Sequence, residues 1–260
     1  MRSSIAALAF AGMLTASSAA QAQSVIALLD DNMVVVVDAK TLKAGKPMKV
    51  SGVEGTLIGI DVRPMDGLLY GLTDDGTVVT IDATNAKATK KSKLDAMLPA
   101  GVAATVDFNP VADRLRVIGS DGTNLRANVD DGKVTKDGAL KFAETDMHKG
   151  EAPNIVAGAY TNSVKGAKET ALYDVDATIG ALIKQAPPND GVLSAVGKFG
   201  VKADAYAFDI VAVDAGASEG WLMAGDTLHK VDLATGKATP VGKVGGISGR
   251  VRDIASVPVM

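Results

Sequence analysis

Short apolar runs alternate with polar residues through most of this chain, and each run stops at a cluster of glycine and aspartate. Leu69-Tyr70-Gly71-Leu72-Thr73 breaks at Asp74-Asp75-Gly76 and resumes as Thr77 to Asp82. Leu115 to Gly119 breaks at Ser120-Asp121-Gly122 and resumes as Thr123-Asn124-Leu125-Arg126. Trp221 to Ala224 breaks at Gly225-Asp226 and resumes as Thr227 to Asp232. Runs of this length with a period of two, rich in β-branched residues and punctuated by tight turns, predict strands joined as hairpins. Helical periodicity is scarce.

The hairpins belong to a larger repeat. Each follows a strand of common pattern: Gly59-Ile60-Asp61-Val62-Arg63-Pro64, then Thr105-Val106-Asp107-Phe108-Asn109-Pro110. Weaker copies surround Tyr160, Asp209 and Asp253. The anchors 61, 107, 160, 209 and 253 are 46, 53, 49 and 44 residues apart, and a fourth short strand closes each unit. Four strands per unit of that length is the blade of a β-propeller. The segment from Val25 to Asp38 reads as a hairpin without its anchor strand, and Val251 to Val257 as an anchor strand without a hairpin. The fold expected is therefore all-β, a five-bladed β-propeller closed by pairing of the N- and C-terminal strands. An open solenoid or two sandwich domains would not need complementary half-units at the two ends.

The first residues add an address. Arg2, the apolar stretch Ile5 to Leu14, and Ala20-Gln21-Ala22 form a secretory signal pattern over residues 1–22, which leaves 23–260 as a single propeller domain. Export to the periplasm or the medium is the expectation. No later stretch is long and apolar enough to cross a membrane, so membrane insertion is not expected. The chain has no cysteine, which removes disulfides, thiolate catalysis and Cys-ligated metals. Without Arg2 there are 26 basic and 30 acidic residues, a balance that argues against nucleic acid as a partner.

Candidate chemistry concentrates in the third unit. With a three-residue loop at 120–122, Arg116 faces Arg126, and Arg114, Arg116, Asn124, Arg126 and Asn128 share one face of the hairpin. Three arginines on one face need negative charge among them. A small anionic or polyhydroxylated ligand held by guanidinium forks and amides would supply it. Asp61, Asp107 and Asp113, locking neighbouring blades together, would supply it equally well. A second polar cluster, Tyr160-Thr161-Asn162 with Gln185 and Pro187 to Gly191, lies where the repeat breaks down. The candidate ligand-binding set is Asp61, Arg63, Asp107, Asn109, Arg114, Arg116, Asn124, Arg126, Tyr160, Asn162, Gln185 and Asn189.

Other motifs lack context. Gly216-Ala217-Ser218-Glu219-Gly220 matches a nucleophile elbow with no helix pattern after it, and His148 and His229 lie in different units. Asp174-Val175-Asp176 lacks the further ligands of a calcium loop. No cofactor and no catalytic residue is expected, with calcium in a ring of anchor carboxylates as the alternative.

The ordered series Ile60 to Pro64, Leu69 to Leu72, Asp107 to Pro110, Asp113 to Val117, Asn124 to Arg126 and Ala159 to Asn162 resembles the bacterial family known as domain of unknown function 4394. The likeness runs on through Leu172-Tyr173, Gln185 to Gly191 and Gly236 to Thr239, and departs at Val175 to Thr178. It implies an exported or surface-associated protein and carries over no catalytic residues. The functional expectation is an exported, non-enzymatic binding or interaction protein. A calcium-dependent propeller hydrolase or lactonase-type enzyme is the alternative, and a module docking to another exported protein is a third reading.

Overall fold

The computed structural model describes residues 24–214 and 217–257, so the signal pattern at 1–22 lies outside the described residues. Five sheets of four or five strands form successive blades. The first holds β1 (Ser24–Leu29), β2 (Met33–Asp38) and the short β3 (Lys43–Ala44) and β4 (Met48–Lys49). The second runs β5 (Leu57–Val62), β6 (Leu69–Thr73), β7 (Thr77–Asp82), β8 (Lys87–Lys93). The third runs β9 (Ala104–Asn109), β10 (Arg114–Gly119), β11 (Asn124–Ala127), β12 (Val134–Lys136). In the fourth, β13 (Lys141–Phe142) precedes β14 (Ile155–Tyr160), β15 (Leu172–Asp176), β16 (Ala181–Gln185) and β17 (Val192–Lys198). The fifth runs β18 (Tyr206–Asp214), β19 (Ala217–Ala224), β20 (Thr227–Val231), β21 (Ala238–Lys243), and β22 (Val251–Val257) follows.

The ring closes through the first blade. β22 pairs antiparallel with β1, Ala27 opposite Ile254 and Ile26 opposite Ala255, so the last strand of the chain supplies the innermost strand of the first sheet. That pairing joins the two ends of the described chain in one sheet. The third hairpin has the register that its polar face requires: Arg116 opposes Arg126, and the Gly119 amide donates to the Thr123 carbonyl at 2.8 Å across the three-residue loop. Gly122 holds the left-handed position of that loop at φ 86°.

Apolar side chains pack between blades in five clusters. The cluster joining the third and fourth blades, built around Ile118, Phe142, Tyr160 and Ile183, is the smallest of the five. Polar side chains occupy the remaining room there, as described below. The fourth blade is also irregular in its path. The chain leaving β12 crosses to its outer edge, where β13 pairs parallel with β17 before the chain returns to the centre as β14.

Four anchor aspartates clasp the innermost strands to one another. Asp253 accepts the Ile60 N–H at 2.9 Å, Asp61 that of Phe108 at 2.7 Å, Asp107 that of Tyr160 at 2.9 Å and Asp209 that of Ser256 at 2.6 Å. Each bond runs from one blade to a neighbouring one, so the repeated aspartate satisfies inner-strand amides that a blade cannot satisfy alone. The strands approach closely enough that a methyl on Gly59 would overlap Val106 and sit 3.0 Å from the Asp253 carboxylate. Gly59→Ala is expected to cost about 1–3 kcal/mol in urea denaturation; an unchanged midpoint would show that the inner strands can spread.

Candidate functional site

Successive antiparallel strands put the first and third turns of every blade on one end of the ring and the second turn on the other. Asn109, at the end of β9, and Asn189, between β16 and β17, lie at the first of these ends. Residues 109, 111–112, 169–170 and 187–189 line a cleft of about 300 Å³ there, with Asn109, Glu169 and Asn189 among its polar groups and Val111, Pro187 and Pro188 among its apolar ones.

Arg116 reaches toward this cleft from behind and is only 2% exposed. Its Nε donates to the Tyr160 hydroxyl at 3.1 Å, and its Nη1 to Asn124 Oδ1 at 2.9 Å and Asp137 Oδ2 at 2.6 Å. Its Nη2 donates to Asn189 Oδ1 at 2.7 Å. Arg126 holds both oxygens of Asp137 at 3.0 Å. Burial alone would raise the Asp137 carboxyl, but the guanidinium groups of Arg126 and Arg116 hold it below the usual carboxylate range. The negative charge that the arginine face requires is thus Asp137, which follows β12 in an ordinary Asp-Gly pair and which the strand pattern did not single out. Asn124 extends the network, donating to the carbonyls of Gly138 and Pro188 at 3.0 Å, and Gln185 donates to the same Pro188 carbonyl at 2.6 Å.

Among the expected counter-ions, Asp113 is the one that pairs with an arginine of the described residues, and that arginine is Arg63 of the second blade. Arg63 donates Nε and Nη2 to the two oxygens of Asp113 at 2.8 and 2.6 Å, Nη2 to Asp130 at 2.8 Å and Nη1 to the Tyr70 hydroxyl at 3.2 Å. The hydrogen bonds with Asp113, set against burial, raise its basicity further, so the group stays charged. Arg63 is a clamp between the second and third blades. Arg114 turns to the carbonyls of Ala112 and Asp113 at 3.3 and 2.8 Å.

Among the described residues, Asp61 and Asp107 touch no arginine. They converge on the axis with Asp209, one oxygen from each lying within 4.8 Å of the others. Burial first, then like charge from Asp209, raises the Asp61 carboxyl; burial, Asp61 and Asp209 do the same for Asp107. Oxygen donors suit calcium, which takes six to eight of them. Here, however, both oxygens of Asp61 accept backbone N–H groups, from Val62 and Phe108, and both of Asp209 accept those of Ile210 and Ser256. Each of these oxygens keeps a second lone pair, so the clasp leaves acceptor capacity turned toward the axis.

At the fourth anchor Tyr160 stands in place of aspartate, fully buried, and its hydroxyl meets Arg116 at the interface with the third blade. Asn162 lies apart from the cleft floor. At φ 58° it turns the chain after β14, its amide N–H bonding Ser218 Oγ at 3.1 Å and its side chain the Glu169 carbonyl at 3.0 Å. Ser218 lies within strand β19, with no helix after it to form an elbow.

Two candidates therefore meet solvent at the cleft. Asn109 Oδ1 accepts the amides of Val111 and Ala112 at 2.9 Å and shapes the rim. Asn189 is exposed, and a guanidinium can only donate, so its oxygen must face Arg116 and its NH₂ is left for the cleft.

The profile of the family described as domain of unknown function 4394 matches residues 33–255. No curated protein matches the chain. Among solved structures, a structural-genomics protein of unknown function from Bacteroides thetaiotaomicron superposes with a TM-score of 0.55 at 17% identity, covering 92% of this chain and 65% of that one. A protein of unknown function from Bacteroides caccae gives 0.47 at 14% identity, with 85% and 73% covered. An auxiliary nutrient binding protein from Bacteroides ovatus gives 0.45 at 12% identity, with 83% and 58% covered. The chain thus spans less than two thirds of the first and third of these proteins, and the likeness is one of fold.

Proposed function

The chain belongs to the family described as domain of unknown function 4394, and from that premise we propose that it is an exported, non-enzymatic binding protein for a small, neutral, polyhydroxylated ligand. The observation that carries this reading is the cleft between the third and fourth blades, whose exposed Asn189 amide is oriented by a buried arginine. Fixing the oxygen toward Arg116 offers the ligand a preset donor, and preorganised donors lose little entropy on binding. The guanidinium groups of Arg63, Arg116 and Arg126 are already matched by Asp113, Asp130 and Asp137. A ligand there meets the Asn109 and Asn189 amides, Thr170, the Glu169 carboxylate and apolar walls, and carboxylate and amide groups together suit the hydroxyl groups of a neutral carbon ring. The signal pattern at residues 1–22 supports a periplasmic or secreted address.

The test is a thermal-shift screen of neutral mono- and disaccharides on the mature protein, with calcium as a separate arm. At least one saccharide is expected to raise the melting temperature. Asn189→Ala is expected to weaken that ligand about tenfold, the loss of roughly one hydrogen bond at the site, and to lower the melting temperature of the free protein slightly because Arg116 Nη2 loses its acceptor, so the ligand-induced shift is read against the free variant. No shift with any saccharide, or a shift that survives Asn189→Ala, would overturn the proposal. Stabilisation by calcium alone would favour the enzyme reading on the axial carboxylates.

A further inference from the structure

On the opposite end of the ring, the turn between β15 and β16 and the connector from β17 to β18 enclose a larger concavity of about 610 Å³. Lys198 and Lys202 line it together with Asp204, Thr178 and the apolar Ile179 and Val201. Both lysines are exposed, and among the described residues neither has a carboxylate within salt-bridge distance. That separates them from the arginines of the third blade, whose charge is spent internally.

The walls are held in place without a ligand. The buried Tyr206 hydroxyl donates to the Val201 carbonyl at 3.2 Å and accepts the Ala203 N–H at 3.1 Å, which fixes the connector. The Phe199 N–H donates to the Gly180 carbonyl at 3.0 Å and ties the connector to the turn. Asp176 holds the other side of that turn, accepting the Thr178 and Ile179 amides at 2.8 and 3.1 Å. A preformed concavity of this volume is the size of a small-molecule site.

We infer that this concavity binds a small organic anion, a carboxylate or phosphate monoester carrying a short apolar body. The lysines supply charge-assisted donors for the anionic head, and Ile179, Val201 and the neighbouring alanines cover the body. The single carboxylate, Asp204, leaves the lining net positive on a chain whose formal net charge is −3. This site is independent of the cleft between the third and fourth blades.

Calorimetric titration with hexanoate, hexyl phosphate and inorganic phosphate, at low and at physiological salt, tests it. Hexanoate or hexyl phosphate is expected to bind, more weakly as salt rises, and whichever binds tighter identifies the head group. Inorganic phosphate should bind less tightly than the hexyl ester. Lys198→Gln and Lys202→Gln are each expected to weaken binding about tenfold, since each removes a charged donor, while Lys→Arg at either position keeps it within about threefold. Asn189→Ala should change nothing. Failure of all three probes to bind, or unchanged binding in the double Lys→Gln variant with its circular dichroism intact, would overturn the inference.

Discussion

Arg116→Ala is expected to lower the unfolding free energy by about 3–5 kcal/mol, the usual cost of removing one partner of a buried ion pair. The side chain is 2% exposed and joins four residues, Tyr160, Asn124, Asp137 and Asn189, from both sides of the interface between the third and fourth blades. Its removal leaves the acceptors of Asn124 and Asn189 without their donor and opens a cavity where the apolar core is already smallest. Arg126→Ala should cost far less, about 1 kcal/mol, because its side chain is 30% exposed and Asp137 keeps Arg116. Urea denaturation of both variants decides the matter. A loss below about 1 kcal/mol for Arg116→Ala would remove the architectural role assigned to it and return the residue to the ligand-binding candidates.

The contrast between these arginines marks the limit of what was legible before the structure. The alternation of side chains along Leu115 to Ala127 defines which residues share a face, so the register and the polar face followed directly from the pattern. The repeat spacing and the complementary half-units defined five blades and their closure by β22 on β1, because both depend on strand order alone. Partner choice does not. Asp137 lies 21 residues from Arg116 and reaches it across the outer strands of the third blade, while Asn189 lies 73 residues away and arrives only when one blade packs on the next. The anchor aspartates show the same division. Their recurrence was plain, yet their partners are backbone amides of neighbouring blades, which no side-chain pattern reveals. The path of β13 was hidden for a third reason. A two-residue parallel pairing leaves no periodic trace.

The second large effect is expected from pH, through a group at the same interface that the sequence offered only as part of an incomplete calcium-loop pattern. Asp174 on β15 has no solvent exposure and no hydrogen-bond partner on either oxygen among the described residues, and it fills the space left by Gly158. The Thr105 side chain lies against the same space, its methyl 3.3 Å from where a Gly158 Cβ would sit. Burial pushes the Asp174 carboxyl up to about 8, and the charge of Arg116 opposes that only in part. The folded chain therefore holds this proton over a range where the unfolded chain, with its ordinary aspartate, has released it. Stability from this group is fully present below pH 4 and is lost as pH rises toward 8. Burial raises the axial carboxyls of Asp61, Asp107, Asp209 and Asp253 as well, which adds loss of the same sign. Asp137 and Asp130 act oppositely. Their carboxyls are depressed, so their stabilisation is present above the ordinary carboxylate range and disappears as pH falls through it. Maximum stability is accordingly expected on the mildly acidic side of neutrality. Asp174→Asn replaces the acid with a neutral group of the same shape. Measured by urea denaturation across a pH series, its stability relative to the wild type should improve by up to about 1.4 kcal/mol for each pH unit between 4 and 8. Parallel profiles for the two proteins would mean that Asp174 is ionised in the fold and has a partner other than a proton.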